Sequence, residues 1–163
     1  MRRSFLTIAL LVMLTSAVVW RVGSAQDVDV QGAWLVSGMT DSTGAEIGNQ
    51  PGLYIFTGTH YSIMFVPGTE PRAQYDGDVG PTDADRLAAY QSIIANSGRY
   101  QVSGDQLSYQ AYVAKDPNYM GGFPDNSVVV KVHRAGDTLH ITYPTAGVLV
   151  TLQRVEGTPP PMH

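Results

Sequence analysis

Tyrosine is the recurrent aromatic of this sequence, with nine copies against four phenylalanines and two tryptophans. Tyr54 and Phe56, then Tyr61, Ile63 and Phe65, occupy alternate positions in their runs; Tyr100, Tyr109 and Tyr143 fall in similar runs further on. Alternation with period two places such rings on one face of extended strands. Phenol rings on a shared inner face can line an apolar cavity while their hydroxyls orient a polar group of a bound molecule. The same rings also make an ordinary filled core, and the pattern alone leaves both readings open. Segment 115–124 adds Tyr119, Met120 and Phe123 among glycines and prolines. That composition suits a lid over a ligand, or a long connection packed on itself.

Other reactive side chains do not converge. His60 and His133 fall beside turns, His163 lies in the terminal tail, and His140 shares a strand face with Lys131 across a hairpin. Such spacing does not assemble a metal site. There is no H-E-x-x-H, G-x-S-x-G, phosphate-cradling glycine loop or calcium loop, so neither a cofactor nor a catalytic residue is expected. A cyclase or isomerase working inside a barrel would need an inward carboxylate or imidazole, and no strand position offers one. That alternative stays open beside a binding protein.

The chain starts Met1-Arg2-Arg3, runs through an uncharged apolar stretch over 5–20, and reaches Gly23-Ser24-Ala25. Basic start, apolar middle and small-residue end describe a cleavable export signal over 1–25 and a periplasmic or extracellular destination. About 138 residues then remain, enough for one compact domain over 26–156. No membrane span is expected after cleavage. The absence of cysteine removes disulfides as a source of stability, so packing and strand pairing must supply it. A formal net charge of −4, without a basic cluster in the mature part, argues against nucleic acid as a partner. Oligomeric state is left open.

Turn residues divide the domain into short strands. After a polar leader over 26–31, strands are expected at 32–36, 53–57, 60–66, 99–103, 106–113, 128–133, 138–143 and 148–155. Gly58-Thr59 reads as a type II′ turn, Gly104-Asp105 as a tight turn, and 134–137 as a four-residue loop pairing Val132 with Leu139. Thr82 with Asp85 reads as a helix start, and Leu87, Tyr90 and Ile94 carry helical spacing over 86–96, with Gly98 ending the segment. The tail over 157–163 is proline-rich and reads as disordered. These elements predict an all-β fold: an eight-stranded antiparallel up-and-down barrel with one inserted helix, closed because closure removes unpaired edges. An open sheet on the helix, or a sandwich, is the alternative.

Gly32-Ala33-Trp34 opens the first strand and Arg154 ends the last. Together they resemble the two ends of the lipocalin signature, in which the tryptophan plugs the barrel base and a late arginine lies across its indole. A planar guanidinium on an indole face is a favourable contact. The wider order is similar to a bacterial lipocalin-like domain family: after the G-x-W strand come a Pro51-Gly52 turn, a helix, Gly98-Arg99-Tyr100 and a final strand. The closing W-x-R-like motif reads Leu152-Gln153-Arg154 here, without its aromatic, and the helix sits mid-chain rather than near the C-terminus. The resemblance spans residues 30–156. It implies structural roles for Trp34 and Arg154, and a small hydrophobic ligand held by Tyr54, Phe56, Tyr61, Phe65, Tyr100, Tyr109, Tyr119, Phe123 and Tyr143. A filled barrel acting through its surface as a protein-interaction module is a further alternative.

Overall fold

The computed structural model describes residues 26–120 and 125–155. The export signal expected over 1–25, Phe123 and the tail over 157–163 lie outside the described residues. Within them the chain forms β1 (Gly32–Thr40), β2 (Glu46–Gly48), β3 (Gly52–Phe56), β4 (His60–Phe65), α1 (Asp83–Gln91), β5 (Ile94–Ser103), β6 (Gln106–Ala114), a 3-10 turn at Pro117–Met120, β7 (Ser127–Ala135), β8 (Thr138–Tyr143) and β9 (Val148–Arg154). Each strand from β3 to β9 pairs antiparallel with the next, and β1 pairs with both β3 and β9. Eight strands therefore close into a barrel, while β2 only extends the far end of β1. No described helix is long and apolar enough to cross a membrane.

Closure depends on β1 bending. Val36 pairs with Leu152 and Gly38 with Thr151, which leaves Ser37 as an extra residue. A bulge of this kind bends a strand and reverses which parity faces inward. Trp34 and Val36 point inward before it and Met39 after it, packed against the core. The Ser37 hydroxyl donates to the Thr151 carbonyl at 3.0 Å. A second bulge, opposite the step from Ser97 to Gly98, lets Ala111 and then Ala114 share the inner side of β6.

The two barrel ends differ because their connections differ. At one end the hairpins turn tightly at 58–59, 104–105 and 136–137, and the leader over 27–31 crosses beneath them. Val28 N–H donates to the Gly104 carbonyl at 3.0 Å, and Val30 is buried. The leader read as polar is thus part of the core. At the other end lie the connections over 66–82 and 144–147 and the segment 115–120. That end is the mouth.

Three local expectations change. The helix covers 83–91 rather than 86–96. Thr82 and Asp85 form the reciprocal cap, Thr82 N–H to Asp85 Oδ2 at 2.8 Å and Asp85 N–H to Thr82 Oγ1 at 3.2 Å. Yet Leu87 and Tyr90 are exposed, and Ile94 belongs to β5, paired with Phe65 of β4. A β-branched residue with a ladder partner is better placed in a strand than at a fraying helix end. Gly98 lies in mid-strand. The hairpin between β7 and β8 turns in two residues, so Val132 opposes Ile141, Lys131 opposes Thr142 and His133 opposes His140. Gly136 at φ +61° permits that tight turn. The register slip is two residues, and a slip of two keeps every side chain on its expected face. Finally, Gly58 keeps a negative φ, so the type II′ turn expected there does not form.

Gly98 is where two strands come closest: a Cβ added there would sit 1.9 Å from the Gln110 carbonyl oxygen. The backbone fixes where that Cβ must sit and the oxygen it meets is itself backbone, so no rotamer change relieves the clash. Gly98→Ala is expected to destabilise the barrel by about 3 kcal/mol or more, the upper range for overpacking. Urea denaturation followed by circular dichroism checks it; an unchanged midpoint would contradict the close approach.

Candidate functional site

At the base, Trp34 is fully buried and its Nε1–H donates to the Val30 carbonyl at 2.8 Å. Its pairing partner on β9 is Arg154, whose guanidinium lies 4.6 Å from the indole centre. The Arg154 Nη2 donates to the Gln31 carbonyl at 3.0 Å, tying the leader to the last strand. Arg134, read earlier as a loop residue, also lies 5.4 Å from the indole centre. Its Nη1 donates to the Asp29 carbonyl at 3.0 Å and to Asp29 Oδ2 at 2.8 Å. The glycine of the Gly32-Ala33-Trp34 motif has a spatial reason. Its φ is +130°, and a Cβ would meet Arg154 Nη1 at 2.9 Å. Above this layer, Leu107, Val130, Leu139, Ile141, Val150 and Leu152 fill the barrel without exposure. The base is solid.

The mouth is open. A cavity of about 280 Å³ lies there, lined by residues that include Ile63, Phe65, Ile94, Asn96, Tyr109, Tyr119 and Tyr143. β5 supplies Ile94 and Asn96 because it starts five residues earlier than the sequence pattern indicated. Tyr119 reaches the cavity from the 3-10 turn. Asp116 caps that turn by accepting from Asn118 N–H at 2.9 Å, and Asn126 Nδ2 donates to the Tyr119 carbonyl at 3.0 Å. One rim is braced by α1: Tyr90 Oη donates to the Lys115 carbonyl at 2.6 Å and Lys115 Nζ to the Tyr90 carbonyl at 3.0 Å. Arg72 in turn donates to Ser92 Oγ at 3.0 Å and to the Ala89 carbonyl at 3.2 Å, satisfying the helix end.

Below the cavity the phenols gather. Tyr61 and Tyr109 have ring centres 5.1 Å apart, and Tyr54 stacks on Phe65 at 6.1 Å. The Tyr143 phenol interacts with those of Tyr109 and Tyr54, and the Tyr119 phenol with that of Tyr109. The Tyr54 and Tyr61 hydroxyls nevertheless lack any partner with hydrogen-bond geometry, as does Oδ1 of the buried Asn96. Burial raises the pKa of every phenol in the group: Tyr54 and Tyr109 well above the usual 10.0, Tyr119 to about 12, and Tyr61 and Tyr143 upward as well. Removal from water disfavours the phenolate. These groups stay neutral, so they donate and accept hydrogen bonds and do not abstract protons.

Of the nine residues implied for ligand contact, Phe65, Tyr109, Tyr119 and Tyr143 line the cavity. Tyr54 and Tyr61 lie beneath it in the packed interior. Phe56 and Tyr100 meet edge-on at 5.2 Å toward the base, where the Tyr100 hydroxyl donates to the Thr57 carbonyl. Asn96 was missed because it was assigned to the end of the helix, and Arg134 because it was assigned to a loop. The alternation Ile94, Asn96, Gly98, Tyr100 was the available signal for the first. His60, His133 and His140 remain outside the barrel wall: His140 Nδ1 lies 3.4 Å from Thr151 Oγ1 and its ring 6.2 Å from that of His133, not beside Lys131. Among the described residues, no group of three or more histidine, cysteine or acidic side chains is placed to hold a metal.

A closed eight-strand meander, with tryptophan at the start of β1 under an arginine at the end of β9, decides the architecture. It is a lipocalin-like barrel. No protein-family model matches the chain, and no curated protein matches it. Two solved structures resemble it. One is a lipocalin-like protein from Bacteroides uniformis ATCC 8492, at 17% identity and TM-score 0.47, covering 78% of this chain and 100% of its own. The other is an uncharacterized protein from Bacteroides eggerthii DSM 20697, at 12% identity and TM-score 0.48, with the same coverage. The description of the lipocalin-like barrel rests on this chain's own strand order and base contacts.

Two predictions follow from the geometry of the two ends. Arg154→Lys keeps the charge but loses the planar stack and the forked donor, so stability is expected to fall by about 1–2 kcal/mol. Equilibrium urea unfolding reads this, and a neutral result would remove the base contact from the stability account. The phenol cluster predicts alkaline sensitivity with a definite sign. Unfolded tyrosines release protons near the usual 10.0, whereas folded Tyr119 holds its proton to about 12 and the others are also raised. The folded chain then binds more protons, so stability is complete below about pH 10 and declines as pH rises toward about 12. Urea midpoints from about pH 8 to about pH 11 should fall only above about pH 10.

Proposed function

We propose that this is an exported binding protein that holds one small, largely apolar molecule in the mouth of its barrel. The observation that carries this reading is the cavity of about 280 Å³, walled by Ile63, Phe65, Ile94, Tyr109, Tyr119 and Tyr143. Ligand pockets commonly span roughly 300–1,000 Å³, so this one is suited to a compact molecule and not to a long acyl chain. Most of the wall is apolar, and its phenols offer hydrogen bonds without charge. A ligand that fills it gains from leaving water, while the phenols fix its orientation.

Export is the sequence's contribution to the proposal, through Arg2-Arg3, the apolar run and Gly23-Ser24-Ala25. A carrier of this kind meets its ligand outside the cytoplasm. An acidic net charge of −4 fits a small-molecule partner and offers nothing to a nucleic-acid backbone.

Native mass spectrometry of the protein recovered from the export compartment tests both parts together. The expected result is a chain beginning at Gln26 that carries a non-covalent adduct, and Tyr143→Trp should remove the adduct by filling the cavity. A full-length chain retained in the cytoplasm would overturn export. A bare mature chain that also fails to take up apolar dyes would overturn the binding reading.

A further inference from the structure

The cavity wall contains one polar side chain that the phenol cluster does not satisfy. Asn96 points inward from β5, between Ile63 of β4 and Ala114 of β6, and is only 9% exposed. It lines the cavity, and its Oδ1 has no hydrogen-bond partner. Beneath it, the Tyr54 and Tyr61 hydroxyls are also unpartnered. Buried amides and hydroxyls are rarely left unpaired, because each forfeits its hydrogen bonds to water without replacement. An amide beside phenol hydroxyls is met most economically by a ligand group that donates and accepts at the same point.

Charge narrows the choice further. Asn96 and Gln110 are the buried polar side chains among the described residues, so no ionised group stands in the buried interior. Lys115 lines the rim, but its Nζ is held by the Tyr90 carbonyl at 3.0 Å and lies 4.7 Å from the centre of the Tyr90 ring. Asp116, also at the rim, is exposed and accepts from the Asn118 N–H. A carboxylate ligand would therefore enter without a buried cation. An ammonium would have only aromatic faces and a solvent-screened carboxylate, too little to replace its hydration. Neutral phenols supply no countercharge to either.

Resting on the binding function proposed above, we infer that the cavity selects an uncharged, hydroxyl-bearing apolar molecule, with the hydroxyl seated at the Asn96 amide. The hydroxyl donates to Asn96 Oδ1 and accepts from a phenol of the cluster. The apolar body lies against Ile63, Phe65 and Ile94. Asn96 is thus the residue that distinguishes an alcohol from the corresponding ether or acid, through a polar group that only the alcohol satisfies.

Calorimetric titration of the purified protein at neutral pH with four probes on one ring system tests this. The probes are 2-naphthol, 2-methoxynaphthalene, 2-naphthoate and 2-naphthylmethylammonium. The expected order places 2-naphthol at least about tenfold tighter than each of the other three. Asn96→Leu should lower 2-naphthol affinity about tenfold, to that of the ether, while ether affinity is retained. Thermal melting establishes that the variant is folded; if it is not, the ranking on the unsubstituted protein decides. Equal affinity for naphthol and ether, or tighter binding of either charged probe, would overturn the selectivity while leaving the binding cavity intact. Failure of all four probes to bind would overturn both.

Discussion

Pairing of the first strand with the last is the constraint on which the rest of the molecule depends. β1 and β9 are separated by more than a hundred residues, yet Trp34 and Arg154 face each other across their ladder. Without that pairing the sheet would have two long edges and no inside. The stack of guanidinium on indole and the bond from Arg154 to the Gln31 carbonyl hold the two chain ends at one place. Gly32 permits it by leaving room for the guanidinium. With no cysteine in the chain, this contact and the filled layer above it do the work that a disulfide does in other small domains.

Closure at one end sets what the other end can be. The tight turns and the leader seal the base, so long connections, including the one that contains α1, gather at the mouth. There the barrel widens into a cavity whose wall is built from side chains that also belong to the core. Tyr109 and Phe65 touch both the cavity and the packed interior. The phenol layer lies between the filled base and the mouth. It is held neutral by burial, which suits it to hydrogen bonding.

The mouth carries a local cost. The Asn96 oxygen and the Tyr61 hydroxyl beneath it lack hydrogen-bond partners, which lowers stability. The base, by contrast, leaves few such groups; Arg154 Nε is one, 3.7 Å from Asp137 Oδ1 and beyond hydrogen-bond distance. A ligand of the proposed kind would match such groups, and its binding would then raise stability.

The sequence by itself determined the all-β class, the up-and-down order, the inward set on β3, β4 and β6, and the two ends of the base contact. It did so because strand faces follow a period of two and turn residues mark where each run stops. Even the misplaced hairpin between β7 and β8 kept its faces, since the slip was an even number of residues. Tertiary structure alone decided where α1 ends and β5 begins. Residues 94–96 continue a fair helical pattern, and only the β4 ladder, formed with residues about thirty positions earlier, draws them into the sheet. It also decided which tyrosines reach the cavity and that Asn96 stands among them. Depth along a barrel axis depends on strand tilt, bulges and register with distant partners, and a local pattern carries none of these.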